Sequence, residues 1–213
     1  MHHWHIIFDM DGTLVDTAKA TVPACLAGAK DHALPALDPD KIRQTIGWAN
    51  PEFYQRLYPD IDPDLQERYG DSVETYEADM IRGLGQDVLF AGILELLEAL
   101  QMRGYPLAIA STGSTEHVDI SLAAGAIRDF FSIVRCNQPD KEDMVGAIKQ
   151  TNPGARWLLV GDKDKDARAA RANGIISVGA SYGFGTKTEL DQFDYLIDQP
   201  LDWLLFSDFS VVV

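Results

Sequence analysis

An α/β fold is what this sequence predicts: a doubly wound parallel sheet, with a small all-helical domain inserted after the first strand. Three observations carry that prediction. Short apolar runs without polar alternation, among them residues 4–8, 106–110 and 157–160, read as strands buried on both faces. From about residue 91 such runs alternate with segments of helical periodicity, the pattern of β–α–β units. Residues 16–86 contain no strand-like run and read as helices throughout. The expected division is an α/β core of residues 1–15 and 87–213 and a helical domain of residues 16–86.

Each element has its own signal. The first strand, about residues 4–8, runs into Asp9. Within the insertion Val22, Leu26 and Ala29 share a helical face, and Leu65, Tyr69, Val73, Tyr76 and Met80 share another. Pro35, Pro39, Pro51, Pro59 and Pro63 punctuate the segment, and Pro23 is expected to kink the first helix. Gly83-Leu84-Gly85 and the turn after Asp11 are the expected hinges. Ile93, Leu96, Leu97 and Leu100 repeat at helical spacing until Gly104 ends the helix. Pro106 to Ala110 is a strand, and 114–124 a helix with Ser114 as N-cap. Phe131 to Val134 is strand-like, and 141–150 places Met144, Val145 and Ile148 on one helical face. Trp157 to Val160 is a buried strand, followed by an alanine-rich helix over 164–173 that Asn173-Gly174 terminates. Ile175 to Val178 and Tyr195 to Ile197 are the last strands, 200–206 is a short helix, and Phe209 to Val213 form an apolar tail.

Composition narrows the function classes. The 213 residues are 46% hydrophobic and 24% charged, an ordinary globular balance. Asp and Glu total 33 against 18 Lys and Arg, a formal net charge of −15. Such a surface repels nucleic acid and anionic membrane. It tolerates an anionic substrate wherever a cation and a lysine reverse the potential inside a cleft. Cys25 and Cys136 have neither zinc spacing nor a disulfide pattern. Aspartates interrupt the one early apolar run, and no stretch approaches the ~20 residues of a membrane span, so a cytoplasmic protein is expected. His2, His3 and His5 read as a solvated end rather than as metal ligands.

Ligands of an open parallel sheet bind at the carboxyl ends of its strands. The first strand delivers Asp9 and Asp11 there, two residues apart and hence on one side. Two converging carboxylates repel unless a cation or a proton intervenes. Gly12 lets the backbone turn closely beneath them. The strand at 106–110 delivers Ser111 and Thr112, the strand at 157–160 delivers Gly161 to Asp166, and Lys141 opens a helix in between. An oxygen-rich acidic site favours Mg2+, and phosphoryl transfer needs a cation, donors and a positioned nucleophile. An aspartate can be that nucleophile, and a second carboxylate can move the proton.

With these residues in this order, the chain resembles the haloacid dehalogenase superfamily of phosphatases, in particular its phosphoglycolate-phosphatase-like branch with a small helical cap. The first motif is Asp9-Met10-Asp11-Gly12-Thr13-Leu14-Val15-Asp16, the second Ala108 to Thr112, and the fourth Val160-Gly161-Asp162 with Asp166 four residues on. The third departs from the branch, which commonly places a lysine before Pro-x-Pro; here the stretch reads Gln138-Pro139-Asp140-Lys141. The resemblance implies a Rossmann-like core and a small phosphorylated metabolite as substrate. It implies Asp9 as nucleophile and metal ligand. Asp11 would be the general acid/base, carrying the proton and giving its carbonyl to the metal. Ser111 would bind the phosphoryl group and Lys141 would hold it, with Lys163 and Lys165 as alternatives that otherwise read as solvated loop charges. Asp162 and Asp166 would complete the Mg2+ site, and main-chain groups at Met10 and Thr112 the phosphate cradle.

Asp11 argues against dehalogenation, since the dehalogenases of this superfamily lack the second aspartate. Nothing singles out Lys19, Lys30 or Lys41 as a phosphonate-cleaving lysine. A sugar phosphomutase and a non-catalytic relative that binds a phospholigand or a protein remain as alternatives. The cap is expected to set specificity, with Arg43, Trp48, Asn50, Tyr54 and Arg56 as candidates. Monomer and homodimer are equally open.

Overall fold

The computed structural model describes residues 4–138 and 140–205. Its centre is a six-stranded, wholly parallel sheet in the order β3-β2-β1-β4-β5-β6. The strands are β1 (Trp4–Phe8), β2 (Leu107–Ala110), β3 (Phe131–Arg135), β4 (Arg156–Gly161), β5 (Ile176–Ala180) and β6 (Tyr195–Ile197). The order reverses at β1, which lies between β2 and β4, so the switch point of the doubly wound sheet falls at the end of the first strand.

The unalternating strands are explained by two cores, one per face. Ile6 and Phe8 point to one side and join Leu96 and Leu97 of α5 (Ile93–Met102), Val118 and Leu122 of α6 (Thr115–Ala124), and Trp203. Ile7 points to the other and joins Met144, Val145 and Ile148 of α7 (Lys141–Lys149) and Ala169 and Ala170 of α8 (Asp164–Ala172). Burying each of these large side chains stabilises the sheet by about 1.5–3 kcal/mol. Ser114 caps α6 by accepting from the His117 backbone N–H, as its position before a helical run predicts. The last short helix is 3-10 in type over Pro200–Leu205. The tail from Phe209 lies outside the described residues, as do His2 and His3. His5 packs its ring against Trp157, 4.6 Å between centroids.

Between β1 and α5 come four helices, α1 (Ala18–Asp31), α2 (Pro39–Thr45), α3 (Glu52–Leu57) and α4 (Pro63–Leu84). They share a hydrophobic cluster of their own, with Val22 and Cys25 of α1 against Phe53, Tyr54, Tyr69 and Val73. Tyr69 stands edge-on to both Tyr54 and Tyr58, with centroids 5.7 and 5.3 Å apart. Pro23 lies inside α1, which is continuous from Ala18 to Asp31. The proline lies in the second turn, so the missing N–H forfeits a single bond, toward Lys19. Gly85 at the end of α4 has φ +56°, in the left-handed region a glycine adopts without strain. A short 3-10 turn, Gly85–Val88, then leads back toward the sheet. Among the described residues no helix is long and apolar enough to cross a membrane.

Candidate active site

Three adjacent strands deliver the site. Phe8 pairs with Ile109 on one side and with Val160 on the other. Met10, Ser111 and Asp162 each lie two residues beyond that register, so the three chain ends leave the sheet side by side. The Asp9 N–H still bonds the Val160 carbonyl at 2.8 Å, holding the first aspartate against β4. The Met10 carbonyl accepts from the N–H groups of Thr13, Leu14 and Val15, which wraps the chain into a tight turn. Gly12 sits in that turn with φ +81°, and a Cβ there would come within 2.6 Å of the Asp162 Cγ.

Asp9, Asp162 and Asp166 meet as a buried carboxylate triad, each offering an oxygen within 4.8 Å of the others. Lys141, the first residue of α7, reaches into it with a side chain 2% exposed. Its Nζ lies 2.6 Å from Asp9 Oδ1 and 2.5 Å from Asp166 Oδ1. Burial works against its charge, but Asp166 and Asp9 overcome this and hold the ammonium above its usual range. The other Asp166 oxygen accepts from the Lys163 N–H at 3.0 Å, which fixes Asp166 as part of the α8 capping box.

One lysine does not neutralise three carboxylates. Burial, followed by the charge of Asp166, pushes Asp9 up to about 6 despite Lys141. Asp162 is raised well above the ordinary carboxylate range by burial and by Asp9 and Asp166. Its Oδ2 accepts from the Phe184 N–H at 2.7 Å, but its buried Oδ1 has no partner among the described residues. A hard divalent cation fits this deficit: it takes carboxylate oxygens and would occupy the orphaned Oδ1.

Asp11 is placed differently from its neighbour. Its Oδ1 accepts from the Thr17 hydroxyl and from His117 Nε2 at 2.8 Å. Burial works to raise this carboxyl, but the His117 charge and hydrogen bond and the Thr17 bond outweigh it and hold it below its ordinary value. The two aspartates therefore differ: Thr17 and His117 favour a negative charge on Asp11, whereas burial weighs on Asp9 and Asp162. His117 also lies with Nδ1 3.3 Å from Glu77 Oε2 of α4. Burial would lower the imidazole, yet Asp11 and Glu77 hold it well above its ordinary value.

Ser111 is buried at the end of β2, and its Oγ accepts from the Gly113 N–H at 3.1 Å. The Met10 side chain is fully buried in the core, so only its main chain can face a ligand. Thr112 reaches across to the inserted helices, its hydroxyl donating to the Gly47 carbonyl at 3.4 Å. Lys165 Nζ bonds that same carbonyl and lies 3.2 Å from Thr112 Oγ1. Lys163 donates to the Phe184 carbonyl at 2.9 Å and to the Gln44 carbonyl at 3.5 Å. Neither lysine is a solvated loop charge; both tie the fourth-motif loop to the helical segment. Burial, then the charge of Lys141, holds Lys165 below its usual range.

Above Asp11 and Thr112 opens a cavity of about 680 Å3 between α6 and the helical segment. Of the expected cap residues, Trp48, Asn50 and Tyr54 line it. Arg43 does not: it pairs with Asp40 on the exposed face of α2, 3.0 Å apart, because its position in the helix turns it to solvent. Arg56 is likewise not part of the wall and stacks its guanidinium 3.6 Å from the Trp48 ring while pairing with Glu52. The Tyr54 hydroxyl donates to the Gly70 carbonyl at 3.3 Å and thereby belongs partly to the helical core. Sequence reasoning missed the acidic wall that α4 presents, with Asp71, Glu74, Glu77 and Asp79. It also missed His117, and the loop after β5. There a Cβ on Gly183 would come within 2.6 Å of Asp162 Cβ, and Tyr182 donates to the Thr13 carbonyl at 3.0 Å. Only the Gly183-x-Gly185 spacing hinted that this loop packs tightly.

The comparisons with known proteins place the fold in a family. The family model of haloacid dehalogenase-like hydrolases matches residues 6–180, and the chain belongs to that family. It is an enzyme of the phosphatase type, similar to proteins described as phosphoglycolate phosphatases. One from Synechococcus elongatus is 30% identical over 206 residues, covering 93% of this chain and 94% of that one. Another, from Agrobacterium fabrum, is 29% identical over 84% of this chain and 80% of its own. Among solved structures, a haloacid dehalogenase-like hydrolase from Streptococcus pneumoniae superposes with a TM-score of 0.82 at 27% identity, covering 97% of this chain and 98% of that one. A predicted phosphoglycolate phosphatase from Haemophilus somnus has the same fold, with a TM-score of 0.86 at 24% identity over 98% of this chain and 99% of its own.

Proposed function

We propose that this protein is a Mg2+-dependent phosphomonoester hydrolase that acts on a small phosphorylated metabolite through an aspartyl-phosphate. The buried triad of Asp9, Asp162 and Asp166, with Lys141 against Asp9 and an orphaned oxygen on Asp162, carries this reading. Asp9, Asp162 and Asp166 would hold the Mg2+, with the Asp11 carbonyl as a further ligand; when bound, the ion offsets the charge of the phosphoryl group.

In the first step an Asp9 oxygen attacks phosphorus and the bond to the leaving oxygen breaks. Asp11 gives that oxygen its proton. Thr17 and His117 already occupy Asp11 Oδ1, so Oδ2 is the oxygen left to carry it. In the second step Asp11 takes a proton from water as the water attacks phosphorus, and the Asp9–phosphorus bond breaks. Ser111, with the main chain at Met10 and Thr112, holds the phosphoryl oxygens, and Lys141 offsets their charge.

Residues 16–86 act as the cap. The cavity beneath them suits a small phosphoester, and its acidic α4 wall disfavours a second anionic group on the substrate. Free cysteines, Cys25 buried and Cys136 half-buried, suit a cytoplasmic protein.

Phosphate release from p-nitrophenyl phosphate tests the reading. Turnover is expected with Mg2+, its loss with a chelator, and loss of three or more orders of magnitude in Asp9→Asn. An inactive wild type, or an active Asp9→Asn, would overturn it. Asp11→Asn is expected to abolish turnover while Mg2+ binding persists.

A further inference from the structure

His117 touches the site without belonging to any motif. It stands in the first turn of α6, with its side chain 15% exposed. Nε2 lies 2.8 Å from Asp11 Oδ1, and Nδ1 lies 3.3 Å from Glu77 Oε2. Both neighbours are carboxylate oxygens, which accept and do not donate, so the ring is fixed at both ends. The far carboxylate is itself anchored, since Glu77 Oε1 accepts from the Thr21 hydroxyl of α1. A continuous chain of bonds therefore runs from α1 and α4, through one imidazole on the core, to a single oxygen of Asp11.

The packing explains why the ring stays there. A Cβ on Gly113 would come 3.1 Å from His117 Cδ2, 3.3 Å from Ser111 Oγ and 3.6 Å from Asp11 Oδ2. The ring thus lies against the Ser111–Gly113 turn, and Asp11 Oδ2 faces that turn while Oδ1 faces the ring and Thr17. Any rotation of the Asp11 carboxylate breaks bonds at Oδ1.

We propose that His117 is a positioning residue that orients the Asp11 carboxylate and couples it, through Glu77, to the placement of the helical cap. The inference rests on the reading of Asp11 as the acid/base. Thr17, on the core side of α1, holds Asp11 from within its own turn; His117 adds a tether that is complete only when α4 is seated. Cap placement and correct aim of Oδ2 at the Ser111 turn are then one event.

Steady-state kinetics with p-nitrophenyl phosphate and Mg2+ test this first. In His117→Ala, kcat is expected to fall by ~10^2-fold with KM changed little, the effect of a misaimed group rather than of lost binding. His117→Gln keeps an amide donor where Nε2 stands and is expected to recover part of kcat. Glu77→Gln keeps the cap's shape and is expected to lower kcat by a smaller factor. Equal kcat in His117→Ala and wild type, or a change confined to KM, would overturn the proposal.

A second readout needs neither metal nor turnover. In metal-free protein labelled with 15N-histidine, the His117 ring nitrogens are expected to shift in Glu77→Gln and in Asp11→Asn, each at the nitrogen facing the changed residue. Ring signals that ignore both substitutions would overturn the geometry. If the wild type cleaves no phosphoester but the ring responds as described, the phosphatase reading fails while the tether from cap to Asp11 stands.

Discussion

Replacing Lys141 by methionine removes the positive charge from the triad while keeping the volume of its stem. The lysine Nζ sits 2.6 Å from Asp9 and 2.5 Å from Asp166, and its side chain is 2% exposed. Removing one partner from a buried ion pair costs about 3–5 kcal/mol, because the other charge is left without compensation. At roughly 2–4 °C per kcal/mol for a chain of this size, the melting temperature should fall by ~6–20 °C. The loss depends on pH with a definite sign. Asp9 is pushed up to about 6 from its ordinary 3.8, chiefly by burial, so the metal-free folded state gains stability as pH falls through that window. Lys141→Met raises Asp9 further, and the penalty is therefore larger at pH 8 than at pH 5. Added Mg2+ supplies the missing charge and should raise the melting temperature of the variant more than that of wild type. Scanning calorimetry of both proteins, in chelator and in Mg2+ at the two pH values, measures all of this. Equal melting temperatures in chelator at pH 8, or a Mg2+ response no larger in the variant, would refute the reasoning.

Gly12→Ala forces a side chain into a φ of +81° and to within 2.6 Å of the Asp162 Cγ, so it should lower stability by ~2–4 kcal/mol and weaken Mg2+ binding; urea unfolding and Mg2+ titration report the two effects. Lys165→Met cuts the tie from the fourth-motif loop to Gly47 and should raise KM more than it lowers kcat, read in p-nitrophenyl phosphate kinetics. The acidic α4 wall predicts that the KM of phosphoglycolate relative to that of a neutral sugar phosphate rises as ionic strength falls, and that Glu74→Gln narrows the gap; parallel kinetics at low and high salt decide it.

The sheet was legible because its strands are short apolar runs whose burial on both faces leaves no polar alternation, and β6 fell on the residues expected. The convergence of Asp9, Asp162 and Lys141 was legible because strand ends in one parallel sheet share an edge. What escaped was set by partners far away in the chain. Lys163 and Lys165 stand in a highly charged stretch at the start of α8, and only the fold brings the carbonyls of Gln44, Gly47 and Phe184 to them. His117 has no motif around it, and its pairing with Glu77 joins a core helix to an inserted one. The different surroundings of Asp9 and Asp11 escaped for the same reason: the pair is symmetric in sequence, and Thr17 and His117 break that symmetry.

The spacer between the two aspartates is itself a core residue, Met10, with no exposed surface and with its side chain among the buried residues of the β1 face. The gap between Asp9 and Asp11 is thus gauged by the least compressible part of the molecule. A change of volume at Met10 would reach both carboxylates without touching either, and drift in the interior beneath β1 would be read out as drift in their spacing. For this site the hydrophobic core is the ruler as well as the foundation.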